Sequence, residues 1–252
     1  MTCKTLLLAA SAAAAFASSS HAGLVAYYSF DSDFTDAEAT TGGGTITGTT
    51  GSITAVAGDV AVGSGAARMD GTGPMNLAET VTFTGTDSWS VAFWGKRDSN
   101  ADARSGMALA NASSSFIWTP DNDNVVNGMR VRSNSGGGGS GPNQRDTDYD
   151  NDVFDLAVYN HWAVVADGSS SNIKIYLNGS EVQSKDNAQV ANVFSLFGGW
   201  GGGAANNYDG VIDELYIYDE AISASAVAAL VPEPGSLALL GLGGLMITRR
   251  RR

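Results

Sequence analysis

Paired carboxylates are the first arrangement to look for in this chain of 252 residues, because acidic residues outnumber basic ones by 26 to 14. A retaining glycosidase needs two carboxyl groups about 5–5.5 Å apart, one as the nucleophile and one as the acid. Glu214 and Glu220 are close in sequence, but a predicted strand end separates them. We therefore expect no catalytic pair, and we predict that the protein is not an enzyme.

Asp213 is a carboxylate of another kind, because it falls inside an apolar alternating pattern. Val211, Leu215 and Ile217 occupy the same alternate positions as Asp213, which predicts one strand face at the edge of the core. A buried carboxylate must be paired, hydrogen-bonded or bound to a metal ion. Backbone hydrogen bonds and a bound cation are the alternatives that the pattern leaves open.

A run of aspartates occupies every second position, at Asp146, Asp148, Asp150 and Asp152. The spacing is similar to that of a calcium-binding loop with ligands at alternate positions. That loop also requires glycine at its sixth position and glutamate at its twelfth, where this chain has Asn151 and Ala157. We expect a solvated acidic loop here, with a surface calcium site as the alternative.

The tryptophans divide into two groups by their surroundings. Trp89, Trp94 and Trp162 lie in apolar stretches and are predicted to be core residues. Trp200 is flanked by glycines on both sides, and two positions stay open for it: an exposed indole that stacks on a sugar ring, or an indole folded back into the core. The other predicted ligand-binding residues are the neighbours Asn206, Asn207 and Tyr208, whose polar groups could bind sugar hydroxyls, and the more distant Trp118.

Several classes of function are disfavoured by composition. The formal charge of −12 argues against a nucleic-acid partner, because phosphate binding needs clustered Lys and Arg. Beyond the first 22 residues His161 is the single histidine, so a Ser-His-Asp triad is not expected. The glycine-rich stretch 135–141 lacks the Lys-Ser/Thr ending of a phosphate-binding loop.

Short strands must position these side chains, since helical periodicity is confined to a stretch at 223–230. Trp89, Val91 and Phe93 alternate with small residues, and residues 161–166 form a continuous apolar run that is typical of a core strand. Asn178-Gly179 follows another alternating run and predicts a type I′ hairpin turn.

The order of four stretches resembles that of the LamG-like domains. The stretches are Gly23–Asp31, Ser88–Trp94, Asn160–Val165 followed by Ile175–Gly179, and Tyr208–Leu215 followed by Ala221–Ser223. The resemblance implies an all-β fold, a concanavalin A-like jelly-roll sandwich of two antiparallel sheets, over residues 23–230. It also implies that the two chain ends meet, so that Asp31, Asp33 and Asp213 could bind a structural Ca²⁺, as in related jelly-roll domains; backbone hydrogen bonding remains the alternative.

The two ends of the chain are predicted to be targeting segments. Residues 1–22 have the layout of a secretory signal peptide, with Lys4, an apolar run and a small-residue site before Gly23. At the other end Pro232, Glu233 and Pro234 precede a short apolar helix and four arginines, an order that resembles the PEP-CTERM sorting signal.

That second resemblance implies a destination and a processing partner. Residues 231–252 would insert transiently into the membrane and be processed by an exosortase-type protease. The protein would then be exported to the cell surface or extracellular matrix of a Gram-negative bacterium. A plain C-terminal membrane anchor is the alternative, although about 12 residues rise only about 18 Å as a helix, short of the roughly 30 Å hydrocarbon core.

Taken together, the sequence predicts an exported, non-catalytic protein that binds extracellular polysaccharide or a glycoconjugate, with Ca²⁺ as its one candidate cofactor. A structural matrix component without a discrete ligand site is the alternative. A glycan-cleaving enzyme is a distant third. The ligand itself has no signature in the sequence.

Overall fold

Two antiparallel sheets pack face to face in a computed structural model of the chain. The structure describes residues 23–35, 47–48, 53–73, 75–84, 86–98, 109–110, 116–122, 127–133, 145–150, 157–186, 192–197 and 208–232. The predicted signal peptide, residues 1–22, and the sorting segment beyond Pro232 lie outside these ranges. Within them, no helix is long and apolar enough to cross a membrane.

The first sheet has eight strands. Its spatial order is β13 (Ser180–Lys185), β12 (Asn172–Leu177), β11 (Asn160–Asp167), β6 (Trp89–Arg97), β15 (Asp209–Tyr218), β4 (Ala66–Asp70) and β3 (Thr54–Val56), and β1 (Leu24–Tyr28) also pairs with β15. The first strand, β1, and the last strand, β15, are therefore hydrogen-bonded neighbours, as the resemblance to LamG-like domains implied.

The second sheet has seven strands. Its spatial order is β10 (Arg145–Asp150), β9 (Asn127–Ser133), β8 (Phe116–Asn122), β7 (Leu109–Ala110), β14 (Asn192–Phe197), β5 (Met75–Phe83) and β2 (Thr47–Gly48). Every described pairing in both sheets is antiparallel. The predicted jelly-roll sandwich is confirmed.

The main core lies between the sheets. Trp89, Val91 and Phe93 of β6 enter it together, as their alternation predicted, and Trp162 of β11 packs with them. Val131 of β9 is a fully buried contribution from the second sheet. Burial of these aromatic and branched side chains is the principal stabilising term of such a sandwich.

A second, smaller core explains the continuous apolar run of β11. Ala163 and Val165 point away from the main core and pack with Val227 of the helix α1 (Ala224–Ala229). Ser223 caps α1, because its Oγ accepts a hydrogen bond from the Ala226 N–H at 3.2 Å. Both faces of β11 are thus covered, so the strand needs no polar alternation.

The predicted hairpin turn is confirmed. Asn178 and Gly179 connect β12 to β13 with φ values of 50° and 81°. Positive φ at both central positions is what a type I′ turn requires.

Candidate functional site

A β-bulge in β15 gives the backbone an unusual conformation beside the predicted metal ligand Asp213. Asp213 pairs with Trp94 and Tyr216 with Ala92, so two residues of β15 lie opposite one residue of β6. Glu214, one of those two, has a φ of 54°, which is rare for a residue with a side chain. Left-handed conformations outside glycine concentrate at functional sites, where surrounding contacts maintain them.

The bulge changes the face on which Asp213 lies. Leu215 and Ile217 contribute to the main core together with Ile212, the residue before Asp213. Because side chains alternate along a strand, Asp213 lies on the opposite face, with Val211. The prediction that Asp213 shares a face with Leu215 and Ile217 is therefore wrong, since the extra residue of the bulge reverses the alternation.

Asp213 is nevertheless fully buried, as predicted. Its Oδ2 accepts hydrogen bonds from the N–H groups of Ala61, at 2.9 Å, and Val62, at 3.0 Å. Its Oδ1 is buried and has no hydrogen-bond partner in the part of the chain that the structure describes. Burial raises the pKa of Asp213 to about 7, although the two N–H groups oppose the shift.

Asp31 is bound by the same loop. Its Oδ1 accepts hydrogen bonds from the N–H groups of Ser64, at 2.5 Å, and Gly65, at 3.0 Å, and from the Ser64 hydroxyl at 3.2 Å. One short loop, residues 61–65, thus supplies backbone donors to Asp213 and Asp31. Its backbone amides stabilise negative charge on one oxygen of each carboxylate.

Asp33 does not join this arrangement. Its Oδ1 accepts a hydrogen bond from the Thr35 N–H at 2.9 Å, which is a local Asx turn. Among the described residues, no three His, Cys, Asp or Glu side chains gather closely enough to hold a metal ion. Two of the three predicted carboxylates, Asp31 and Asp213, therefore meet at one loop. The buried Oδ1 of Asp213 is an oxygen that could bind a cation.

Glu214 is held by tyrosines. Its Oε2 accepts hydrogen bonds from the hydroxyls of Tyr27, at 2.7 Å, and Tyr216, at 2.5 Å. The two tyrosine rings stack with centroids 4.5 Å apart. Burial raises the pKa of Glu214, and the tyrosine hydroxyls partly oppose that shift because they stabilise the carboxylate. The exposed Glu220 is not among the hydrogen-bond partners of Glu214 Oε2.

Three side chains with buried polar atoms lie side by side on neighbouring strands at the bulge. His161 lies opposite Trp94, and Trp94 lies opposite Asp213. The rings of His161 and Trp94 meet edge to face at 5.2 Å. Trp94 is therefore on the outer face of the first sheet, half-buried, and the prediction that it is a main-core residue is wrong because it alternates with Phe93.

His161 is fully buried, and within the described ranges neither ring nitrogen has a hydrogen-bond partner. Desolvation lowers its pKa to about 4, so the imidazole is neutral. We expect His161→Phe to keep the melting midpoint at pH 7 or to raise it, since an aromatic ring of similar shape removes two unpaired polar atoms.

The pH profile of the same variant provides a second readout. In the parent protein the unfolded state gains a proton near pH 6.5 and the folded state only near pH 4, so histidine destabilises the fold as pH falls through that window. His161→Phe should remove this contribution in thermal melts between pH 7 and pH 4. A lower midpoint at pH 7 would instead show that the imidazole makes a stabilising polar contact.

Only some of the predicted ligand-binding residues lie in the part of the chain that the structure describes. Trp200, Asn206 and Asn207 lie outside the described residues. Tyr208 is 1% exposed and belongs to the main core, where its hydroxyl donates to the Lys96 carbonyl oxygen at 2.6 Å. Its predicted role at a ligand surface is corrected accordingly: Tyr208 anchors the start of β15 instead.

Three of the four aspartates in the run lie in a strand, where a loop was predicted. Asp146, Asp148 and Asp150 belong to β10, whose neighbour β9 places Arg132 opposite Asp146 and Arg130 opposite Asp148. Asp152 lies outside the described residues. Two of the aspartate positions are therefore directly opposite arginine positions, and the alternating Arg130-Val131-Arg132 was the overlooked signal.

The comparison with known proteins agrees with this fold. A sequence profile described as the concanavalin A-like lectin/glucanases superfamily, of the laminin G type, matches residues 69–228, more than half of the chain. The profile of the PEP-CTERM protein-sorting motif matches residues 230–252. No curated protein sequence matches the chain.

Among solved structures, the chain is similar to domain 4 of AbnA, an extracellular arabinanase from Geobacillus stearothermophilus, in complex with arabinotriose. The TM-score is 0.61 and the identity 25%, over 84% of this chain and 99% of that one. The binding domain of Paraclostridial mosquitocidal protein 1 follows, with a TM-score of 0.58 and 18% identity over 83% of this chain and 52% of that one.

The binding domain of botulinum neurotoxin serotype G gives a TM-score of 0.52 and 14% identity, over 82% of this chain and 50% of that one. This chain thus spans about half the length of each toxin domain. The toxin domains share the fold, and the arabinanase domain matches over nearly its whole length. With its profile match and its two-sheet sandwich, the chain belongs to the concanavalin A-like lectin/glucanases superfamily and carries a PEP-CTERM sorting motif.

Proposed function

We propose that this protein is an exported domain that binds carbohydrate without cleaving it. The observation that carries the proposal is the likeness to the arabinanase domain in complex with arabinotriose, which extends over 99% of that domain. The sorting motif indicates export and a role at the cell surface or outside the cell. An extracellular polysaccharide or glycoconjugate is the partner that fits both observations.

Two carboxylates support the non-catalytic part of the proposal. Asp213 is fully buried, and Glu214 is 5% exposed with Oε2 engaged by two tyrosine hydroxyls. A glycosidase needs an acid and a nucleophile that face the substrate. Among the described residues, burial raises the pKa of Asp213 and of Glu214. Asp213 accepts hydrogen bonds from the loop 61–65, and Glu214 accepts them from the tyrosine hydroxyls.

The export route completes the proposal. The signal peptide would be removed before Gly23, and the PEP-CTERM motif implies processing by an exosortase-type protease. The destination we propose is the surface or matrix of a Gram-negative bacterium, and the sorting motif supports export. Pro232, the last described residue, is exposed, so a protease could approach the chain where it leaves the domain.

Retention on a panel of polysaccharides tests the proposal. The domain at residues 23–232, which includes every described residue, is run in native gels that contain arabinan, xylan, glucan or a host polysaccharide, and the gels are analysed for cleaved products. We expect selective retardation by at least one neutral polysaccharide and no cleavage. Diffuse retardation that salt abolishes would instead favour a structural matrix component without a discrete site.

The same gels test the predicted ligand contacts. Trp200→Ala should weaken the retardation, because a flat indole face stacks on a sugar ring. Trp89→Phe is a matched aromatic change in the described core and should leave retardation unchanged once its fold is verified. Equal retardation of Trp200→Ala and the parent protein would remove Trp200 from the site.

We propose calcium as the cofactor at Asp213 and Asp31, beside the loop 61–65. Asp213 Oδ1 and Asp31 would hold it, and the ion would neutralise a carboxylate that is otherwise buried with one unpaired oxygen. A bound ion stabilises the folded state by mass action, so millimolar Ca²⁺ should raise the melting midpoint above that in EDTA. Asp213→Asn should abolish the difference. Identical parent midpoints in Ca²⁺ and EDTA would contradict calcium binding.

A further inference from the structure

Three neighbouring strands of the second sheet align aromatic, basic and acidic residues in rows. The pairing of β8, β9 and β10 places Trp118, Arg130 and Asp148 side by side. The next row contains Phe116, Arg132 and Asp146. Directly opposite positions in antiparallel strands lie about 4.5–5.5 Å apart, so each row forms one continuous strip.

A third row is more acidic than the first two and has glycine at its middle position. It contains Asp121, Gly128 and Asp150, and it follows a register shift between Trp118 and Asp121. Glycine has no side chain, so this row has a gap between two acidic positions.

These rows occupy the face of the second sheet that is turned away from the main core. Val131, between Arg130 and Arg132, is fully buried in that core. Its cross-strand partners Ile117 and Thr147 therefore share the core face. Because positions alternate along each strand, the aromatic, arginine and aspartate positions belong to the opposite face.

We propose that this face is the site at which the domain binds an uncharged oligosaccharide. The inference rests on the proposed carbohydrate-binding function and assigns it a place and a ligand class. Aromatic rings offer flat apolar surfaces to sugar rings, while arginine and aspartate offer a fork of donors and a pair of acceptors to vicinal hydroxyls. Polar groups in fixed positions beside aromatic surfaces are the usual composition of a specific site.

The charges of the rows define the ligand class. In the first two rows one arginine faces one aspartate, and in the third row both charged residues are acidic. No row carries net positive charge, so a polyanion would gain no attraction and would meet the two acidic positions of the third row. A neutral sugar needs only hydrogen bonds and stacking, both of which these rows supply.

Titration of the exported protein with arabinotriose, and with polygalacturonate as the anionic counterpart, tests the site by calorimetry. We expect binding to arabinotriose, at least about tenfold weaker binding for Trp118→Ala and Arg130→Met, and no binding of polygalacturonate. Lys174→Ala is the control, because Lys174 forms an exposed ion pair with Glu181 on the other sheet. Its affinity should equal that of the parent.

A charge exchange separates a binding role from a structural one. The double change Arg130→Asp with Asp148→Arg keeps the pair of opposite charges but places the acid beside Trp118. If the row only stabilises the sheet, the double variant recovers both the melting midpoint and the affinity that Arg130→Met loses. We expect the midpoint to recover and the affinity to remain low.

The remaining outcomes overturn the inference in three distinguishable ways. If the parent protein binds arabinotriose and the Trp118 and Arg130 variants bind equally well, the site lies elsewhere and carbohydrate binding stands. Preferential binding of polygalacturonate overturns the ligand class. If the parent protein binds neither this sugar nor any polysaccharide of the gel panel, the proposed function fails and the inference fails with it.

Discussion

Replacing Gly210 by alanine is expected to lower the free energy of unfolding by about 3 kcal/mol or more. Gly210 lies in β15 opposite Arg97 of β6 and Met69 of β4, in the middle of the first sheet. A Cβ atom there would overlap the Lys96 carbonyl oxygen and would come within 2.9 Å of Arg97 Cα. Backbone atoms of paired strands cannot move aside without breaking the ladder, so the clash persists.

The matched control for this prediction is Gly58→Ala. Gly58 has a φ of 88°, but a Cβ atom there would meet nothing within 4 Å. The change introduces backbone strain without a clash and should cost about 1 kcal/mol. Urea unfolding of the two variants and the parent gives the comparison. Equal losses would show that β15 does not approach β6 as closely as described.

The second large effect concerns the pH dependence of stability at Asp213. The folded state holds the Asp213 proton up to a pKa of about 7, whereas the unfolded chain releases it near 3.8. The folded state therefore binds more protons between these values, and its stability falls as pH rises from about 4 to about 7. At about 1.4 kcal/mol per pKa unit, the upper bound of the loss is about 4 kcal/mol.

Asp213→Asn should remove this loss, since the amide oxygen still accepts hydrogen bonds from Ala61 and Val62 but the side chain no longer ionises. Because His161 contributes with the opposite sign below pH 6.5, the informative quantity is the difference between variant and parent. Thermal melts in EDTA from pH 4 to pH 8 should show the variant gaining stability relative to the parent. Parallel profiles would mean that Asp213 is charged throughout.

Those features of the fold that depend on local pattern were predictable from the sequence. The turn at Asn178-Gly179 follows from the positive φ that both residues tolerate, and the main-core positions of Trp89 and Trp162 follow from apolar strands. The short helix near the C-terminal end follows from its alanine content and its serine cap. In each case the residues that form the feature are also the residues that signal it.

Features that depend on partners distant in sequence were not predictable in this way. The bulge at Glu214 is invisible in the sequence, because glutamate rarely adopts positive φ and an alternating pattern gives no sign of an inserted residue. The sequence around Tyr208 suggested a surface loop. Its hydroxyl instead donates to the carbonyl oxygen of Lys96, 112 positions away, and that partner cannot be identified from the neighbouring residues. The placement of arginine positions opposite Asp146 and Asp148 of β10 likewise depends on the register with β9.

Mixing arabinotriose with the exported protein, and following binding heat and reaction products in the same sample, tests whether the domain recognises carbohydrate without cleaving it. We predict saturable binding and unchanged trisaccharide after prolonged incubation. Binding accompanied by release of arabinose would contradict the non-catalytic assignment. No saturable binding of arabinotriose, or of any neutral sugar tested in the same way, would contradict carbohydrate recognition itself.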